Sequence, residues 1–212
     1  MTRPRRLALA ILFLGFMILY GFTAAPDVMT GDSAELQAVA ITGGVAHPTG
    51  YPIFVMAGRG IGTLPLGNPA FRITLLSALC GAASAVFFVL LLLRLGVGFA
   101  PAVLGAVCHG LAFTFWWASI RAEVYTLGIL LLLAGAWLLL RAVDRPSLPR
   151  AAAAAAVLGL AVGGHLSVLF AVVPLLAVLL FAPRAPSRPR WILWGVVLGG
   201  FLAGYLAPYA HV

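Results

Sequence analysis

Residues 151–182 read AAAAAAVLGLAVGGHLSVLFAVVPLLAVLLFA, with Gly163-Gly164-His165 near the middle. The topology turns on whether this run crosses a bilayer once or twice. A spanning helix needs about 20 apolar residues, and this run has 32. Two adjacent glycines before a histidine mark a turn inside it. Two short spans are therefore expected, with His165 at their junction.

The arginines test that division, because they supply every basic charge in the chain and gather on the cytoplasmic side of membrane proteins. With a cytoplasmic N-terminus, two spans place Arg3, Arg5, Arg6, Arg94, Arg141, Arg145, Arg150, Arg184, Arg188 and Arg190 inside. Only Arg59, Arg72 and Arg121 fall outside, ten against three. A single span would carry Arg184, Arg188 and Arg190 outward and leave seven against six. The division into two keeps the bias.

Outward from this run, the chain holds five more apolar segments: Leu7–Ala25, Ile73–Leu93, Pro101–Ala118, Val124–Leu140 and Trp191–Ala210. Leu7–Ala25 exceeds the roughly 7–15 residues of a signal-peptide core and reads as a retained span. The expected fold is all-α, a polytopic membrane protein of about seven transmembrane helices forming one module over residues 1–212. Composition agrees. Hydrophobic residues are 63% and charged residues 8%, against roughly 45–50% and about 25% in soluble domains, and the mean hydropathy is +1.12. Soluble, disordered and disulfide-scaffold classes are excluded. Cys80 and Cys108 lie in apolar runs and read as small core residues. The arginines are dispersed between spans rather than gathered on one face, so no nucleic-acid partner is expected.

Residues 26–72 are the exception to this hydropathy, an outer loop expected to carry two short helices. One starts near Asp32 and the other runs from about Ile53 to Leu64, joined by a turn rich in Gly and Pro. The topology also places Asp27, Asp32, Glu35 and Glu123 outside with His47, His165 and His211, leaving Asp144 as the one acid inside. Acids contribute little to orientation, so their gathering points to function. Asp32 and Glu35, three residues apart, fit an N-terminal capping box. They equally fit two carboxylates on one helix face, able to act as base and partner. His47-Pro48-Thr49-Gly50-Tyr51-Pro52 presents an imidazole and a phenol on a rigid turn, or an interfacial anchor. Arg121-Ala122-Glu123 after Trp116-Trp117 is either a membrane-edge ion pair or a fork for a lipid phosphate. His165 at an intramembrane turn reads as functional or as a cap. His109, inside a span, is expected to hydrogen-bond between helices. Metal-protease, Walker, dinucleotide and nucleophile-elbow motifs are absent from the sequence.

The blocks Gly31-Asp32-Ser33-Ala34-Glu35-Leu36, Ala46-His47-Pro48-Thr49-Gly50-Tyr51-Pro52, Gly67-Asn68-Pro69-Ala70-Phe71-Arg72, Ala122-Glu123-Val124-Tyr125 and Gly159-Leu160-Ala161-Val162-Gly163-Gly164-His165, in this order, resemble bacterial relatives of the transmembrane protein 260 family within the GT-C glycosyltransferases. The resemblance implies a GT-C-like inverting enzyme in the bacterial inner membrane, its active side facing outward. Such an enzyme moves a mannose-like sugar from a polyprenyl-phosphate donor to a protein, lipid or glycan acceptor. It assigns Asp32 as catalytic base and Glu35 as the second acid. Substrate binding is expected of His47, Tyr51, Arg59, Arg121, Glu123 and His165. No metal is assigned, a divalent ion stays open for Asp32, Glu35 and His47, and membrane lipid is the expected surrounding partner. Enzymes of this superfamily usually have more spans, so the chain is read as a catalytic half or fragment. The alternative is a small secondary transporter or lipid flippase. The Gly163-Gly164-His165 break favours it, and the placement of the acids away from mid-span disfavours it.

Overall fold

Inside a bilayer the backbone has no water to bond and must satisfy itself, so apolar runs become helices. The computed structural model describes residues 2–181 and 189–211, and the regular elements among them are all helical. In chain order these are α1 (Arg3–Thr23), α2 (Asp32–Thr42), α3 (Pro52–Gly62), α4 (Pro69–Arg94), α5 (Phe99–Leu111), α6 (Phe113–Ser119), α7 (Tyr125–Asp144), α8 (Leu148–Gly164), α9 (Leu169–Phe181) and α10 (Arg190–Leu206). Helices α1, α4, α7 and α10 are long and apolar enough to cross a membrane, and α5 with α6, bent by 67°, makes a fifth if taken as one broken span. The protein is an integral membrane protein. Among the described residues, four or five of the seven expected spans qualify by length and composition. Helix α8 and the segment Leu166–Phe181 are each too short to qualify, because the turn at His165 divides the residues between them.

That turn lies where the glycines put it. Helix α8 stops at Gly164, His165 is extended at φ −163° and ψ 130°, and the 3₁₀ turn Leu166–Val168 leads into α9. Helices α8 and α10 run parallel. Gly200 lies on Ala152, and Gly204 lies on Ala156 one four-residue step later on both helices. A parallel pair needs the chain to return between its members. Helix α9 is that return, with Phe181 at its end beside Trp194 near the start of α10. Arg184 and Arg188, part of the charge comparison, lie outside the described residues.

Small residues set the spacing throughout, as expected where lipid leaves only close packing to hold helices together. Gly110 accommodates the Phe16 ring and Gly135 the Leu158 side chain. A β-carbon at Gly200 would lie 2.7 Å from the Ala152 carbonyl oxygen, and one at Gly204 would overlap the Ala156 carbonyl. Gly204→Leu should therefore cost about 1–3 kcal/mol or more through overpacking, seen as a lowered Tm in nanodiscs. Gly199→Leu, where a β-carbon meets nothing within 4 Å, should leave Tm unchanged.

The charges segregate to two ends. Arg94 and Asp144, at the C-terminal ends of α4 and α7, form an exposed ion pair. The other four acids belong to the opposite end. Two expectations are corrected. Cys108 is exposed on α5 rather than part of the core, whereas Cys80 is buried. His109 makes no interhelical bond through Nε2, which has no partner among the described residues. Its ring packs on Phe88 and Phe115 at 5.1 and 4.1 Å instead.

Candidate functional site

At the end opposite the Arg94–Asp144 pair, four segments converge: residues 24–31, helix α2 with the turn 43–51, the stretch 120–124, and His165. Cross-links between distant residues hold them. Ala25 N–H donates to the Ile120 carbonyl at 2.9 Å, and Trp116 Nε1–H donates to Thr23 Oγ1 at 3.1 Å. Gln37, fully buried, accepts from Met29 N–H and donates to the Ala70 carbonyl and Thr74 Oγ1. It pins the residues before α2 onto α4. Both expected short helices form in this region, and Gly43, left-handed at φ 80°, ends the first.

Asp32 is the first residue of α2 and does not cap it. Gly31, at φ 64°, occupies the cap position with no side-chain bond. The Asp32 carboxylate is exposed and has no hydrogen-bond or ion-pair partner among the described residues. The capping reading therefore fails, and a free carboxylate stands at the N-terminus of a helix.

Glu35 is the opposite case. Its two oxygens accept from the His47 backbone N–H at 2.6 Å and from His47 Nδ1–H at 2.7 Å. Those two bonds hold the carboxyl below its ordinary value of 4.5, because each stabilises the ionised form. Glu35 is a strut that fixes the His47–Tyr51 turn. Its folded pKa is depressed, so its contribution is complete above pH 4.5 and is lost as pH falls through the lower folded value. The His47 amide should accordingly remain protected from hydrogen exchange at pH 5 and lose protection under more acid conditions. Glu35→Ala should lose that protection already at pH 7.

Glu123 lies between these extremes. Oε1 accepts from Ser33 Oγ at 2.9 Å, ninety positions away in sequence. Ser77 of α4 grips its backbone in both directions, donating to the Glu123 carbonyl and accepting from its N–H, each at 3.0 Å. Burial raises the Glu123 carboxyl and the Asp32 charge adds to the rise, against the Ser33 bond and the Arg121 charge. The three carboxyl groups of the site thus differ in their partners: Asp32 has none among the described residues, Glu35 has His47 and Glu123 has Ser33.

Four rings line the same space. Tyr51 meets His47 edge-on at 5.1 Å and lies parallel to His165 at 6.1 Å, while Tyr125 tilts against His165 at 4.8 Å. Tyr51 takes the left-handed conformation at φ 44°, uncommon for a bulky residue and typical of functional turns. Its hydroxyl is raised by burial, then by Tyr125 and the nearby Asp32, Glu35 and Glu123 charges. His165 is held low by burial. The Ser167 backbone N–H donates to its Nδ1, which in the neutral ring leaves the proton on Nε2, ready to donate.

Arg121 stacks over the Trp117 ring at 4.5 Å, and its buried Nε has no partner among the described residues. Arg59 is not brought into the site. Its guanidinium lies against Gly43 at the far end of α2, roughly 15 Å from Asp32 at 1.5 Å rise per residue. It complements the helix C-terminus there. One donor atom from each of Asp32, Glu35 and His47 lies within 4.8 Å of the others. These are the residues that could hold a cation. Sequence reasoning missed Ser33, Gln37, Ser77 and Tyr125. The signal for Ser77 is its place with Thr74 and Ser84 as buried polar residues in an otherwise apolar helix.

A family profile described as "Protein O-mannosyl-transferase TMEM260 N-terminal domain" matches residues 32–188. The chain is 35% identical over 116 residues to Protein O-mannosyl-transferase TMEM260 of Mus musculus, covering 54% of this chain and 16% of that protein. It is 29% identical over 136 residues to the protein of the same name from Dictyostelium discoideum, covering 61% and 17%. The matched stretches thus span about a sixth of the length of these curated relatives. No solved structure matches it.

Proposed function

The chain belongs to the Protein O-mannosyl-transferase TMEM260 N-terminal domain family, and from that we propose that it is a membrane glycosyltransferase of GT-C type. It transfers a mannose-like sugar, with inversion, from a polyprenyl-phosphate donor to a hydroxyl of a protein, lipid or glycan. It does so on the outer face of a bacterial inner membrane. Asp32 carries the reading: it alone of the five acids has no partner among the described residues. Asp32 takes the proton of the acceptor hydroxyl as the acceptor oxygen bonds to the sugar C1. On the opposite face the bond from C1 to the phosphate oxygen breaks, and the polyprenyl phosphate leaves with that electron pair. Arg121 meets the phosphate charge with a planar fork, and His165 donates from Nε2. Glu123, held by Ser33 and Ser77, shapes the site between base and cation. Tyr51 and His47 form its wall, with Glu35 as their strut.

The test is transfer of radiolabelled mannose from polyprenyl-phosphate mannose to a hydroxyl acceptor, using purified protein in nanodiscs. Transfer that needs both donor and protein is expected. Its absence, with net movement of the lipid or of a solute across the bilayer instead, would replace the enzyme with the flippase or transporter. The break at His165 is the one observation on that side.

A further inference from the structure

Glu35 does more to His47 than fix the turn. An ionised carboxylate can only accept, so the ring nitrogen it meets at 2.7 Å carries the proton. His47 Nδ1–H is thereby committed to Glu35, and in the neutral ring Nε2 is left as a bare acceptor. The backbone bond to Glu35 at 2.6 Å and the Tyr51 ring, edge-on at 5.1 Å, hold the imidazole in place. Nε2 makes no hydrogen bond among the described residues, and the side chain is 35% exposed. A carboxylate that sets one tautomer and leaves the second nitrogen to a ligand is how a histidine is oriented for work on a substrate hydroxyl.

A ring nitrogen of His47 and one oxygen of Asp32 lie within 4.8 Å of each other, so a group that meets His47 is bound next to the base. In a displacement with inversion the base works on the face of the sugar C1 opposite the leaving phosphate, where the acceptor lies. Asp32 and Nε2 both accept and neither donates. A peptide brings one carbonyl for each N–H, and those carbonyls would need donors there, whereas neighbouring hydroxyls of a sugar can all donate. We infer that His47 accepts a hydrogen bond from a second hydroxyl of the acceptor, beside the one that Asp32 deprotonates. The acceptor is then a sugar residue rather than a serine or threonine side chain. Glu35 is a positioning residue that acts by setting the tautomer of His47. The inference rests on the proposed function and adds the class of acceptor.

The experiment uses purified protein in nanodiscs with polyprenyl-phosphate mannose as donor. The acceptors are a panel of methyl hexosides, the monodeoxy analogues of the best of them, and a threonine peptide. The best hexoside should exceed the threonine peptide in kcat/KM, and one monodeoxy analogue should fall about tenfold below its parent, the effect of one lost hydrogen bond. In His47→Phe the parent should fall to the level of that analogue, and the analogue should lose nothing further. A ring that served structure alone would lower both alike. Glu35→Gln keeps an oxygen for the backbone N–H but turns an amide N–H toward Nδ1, which moves the ring proton to Nε2. It should reproduce the His47→Phe pattern with Tm unchanged. Equal losses for parent and analogue in His47→Phe, or a preference for the threonine peptide, would overturn the inference and leave the enzyme standing. So would a loss that follows deoxygenation of the donor sugar instead, or a metal requirement that His47→Phe abolishes. Transfer to none of these acceptors would sink the enzyme, and the inference with it.

Discussion

Asp32→Asn should lose ~10²–10⁴-fold in sugar transfer, the range for removing a general base, while the helix bundle loses no more than about 1 kcal/mol of stability. The side chain is exposed and makes no bond among the described residues, so the amide breaks no contact there. What is lost is a charge at a helix N-terminus, worth about 0.3–1 kcal/mol. The measurement is kcat for the nanodisc protein beside its Tm and its affinity for polyprenyl phosphate, the latter two expected to hold. Full activity in this variant would move the base to Glu123, whose carboxyl is raised by burial. Glu35 is the poorer substitute, since His47 occupies both of its oxygens.

Arg121→Met should cost ~10²–10³-fold in kcat, the usual effect of removing one donor aimed at developing charge. The phosphate gains charge as its bond to the sugar breaks, so the loss falls on kcat more than on KM. Arg121→Lys should recover part of the rate, since a point charge remains, and fall short of the original because the fork is gone. Neither change should unfold the protein. Arg121 joins no ion pair within 4.0 Å among the described residues, and its stacking on Trp117 is worth about 0.5–1 kcal/mol. Wild-type turnover in both variants would reduce Arg121 to a membrane-edge residue.

Some assignments needed nothing beyond the chain itself. Hydropathy summed along the sequence determined the membrane class and located the apolar helices, because the gain from placing a segment in lipid is close to additive over its residues. Gly163-Gly164-His165 fixed the break in the longest run, and the helices stop there. The blocks around Asp32, His47 and Glu123 were visible as polar residues gathered at one end of a chain that is otherwise apolar.

What each of these residues does was decided only by the fold. Asp32 and Glu35 look alike as an acid pair three residues apart, yet Gly31 takes the cap and leaves Asp32 free, while the turn at 47 folds back to bind Glu35. Glu123 finds Ser33 across ninety residues and Ser77 across forty-six. Arg59, equally plausible by composition, ends at the wrong end of α2. Hydrogen bonds require donors and acceptors placed within a few tenths of an ångström and tens of degrees. Between segments this distant, that placement is set by how α2, α3, α4 and α7 pack together. Local sequence therefore determined which chemical groups reach this end of the bundle, and the tertiary structure decided which of them are paired and which are left to act.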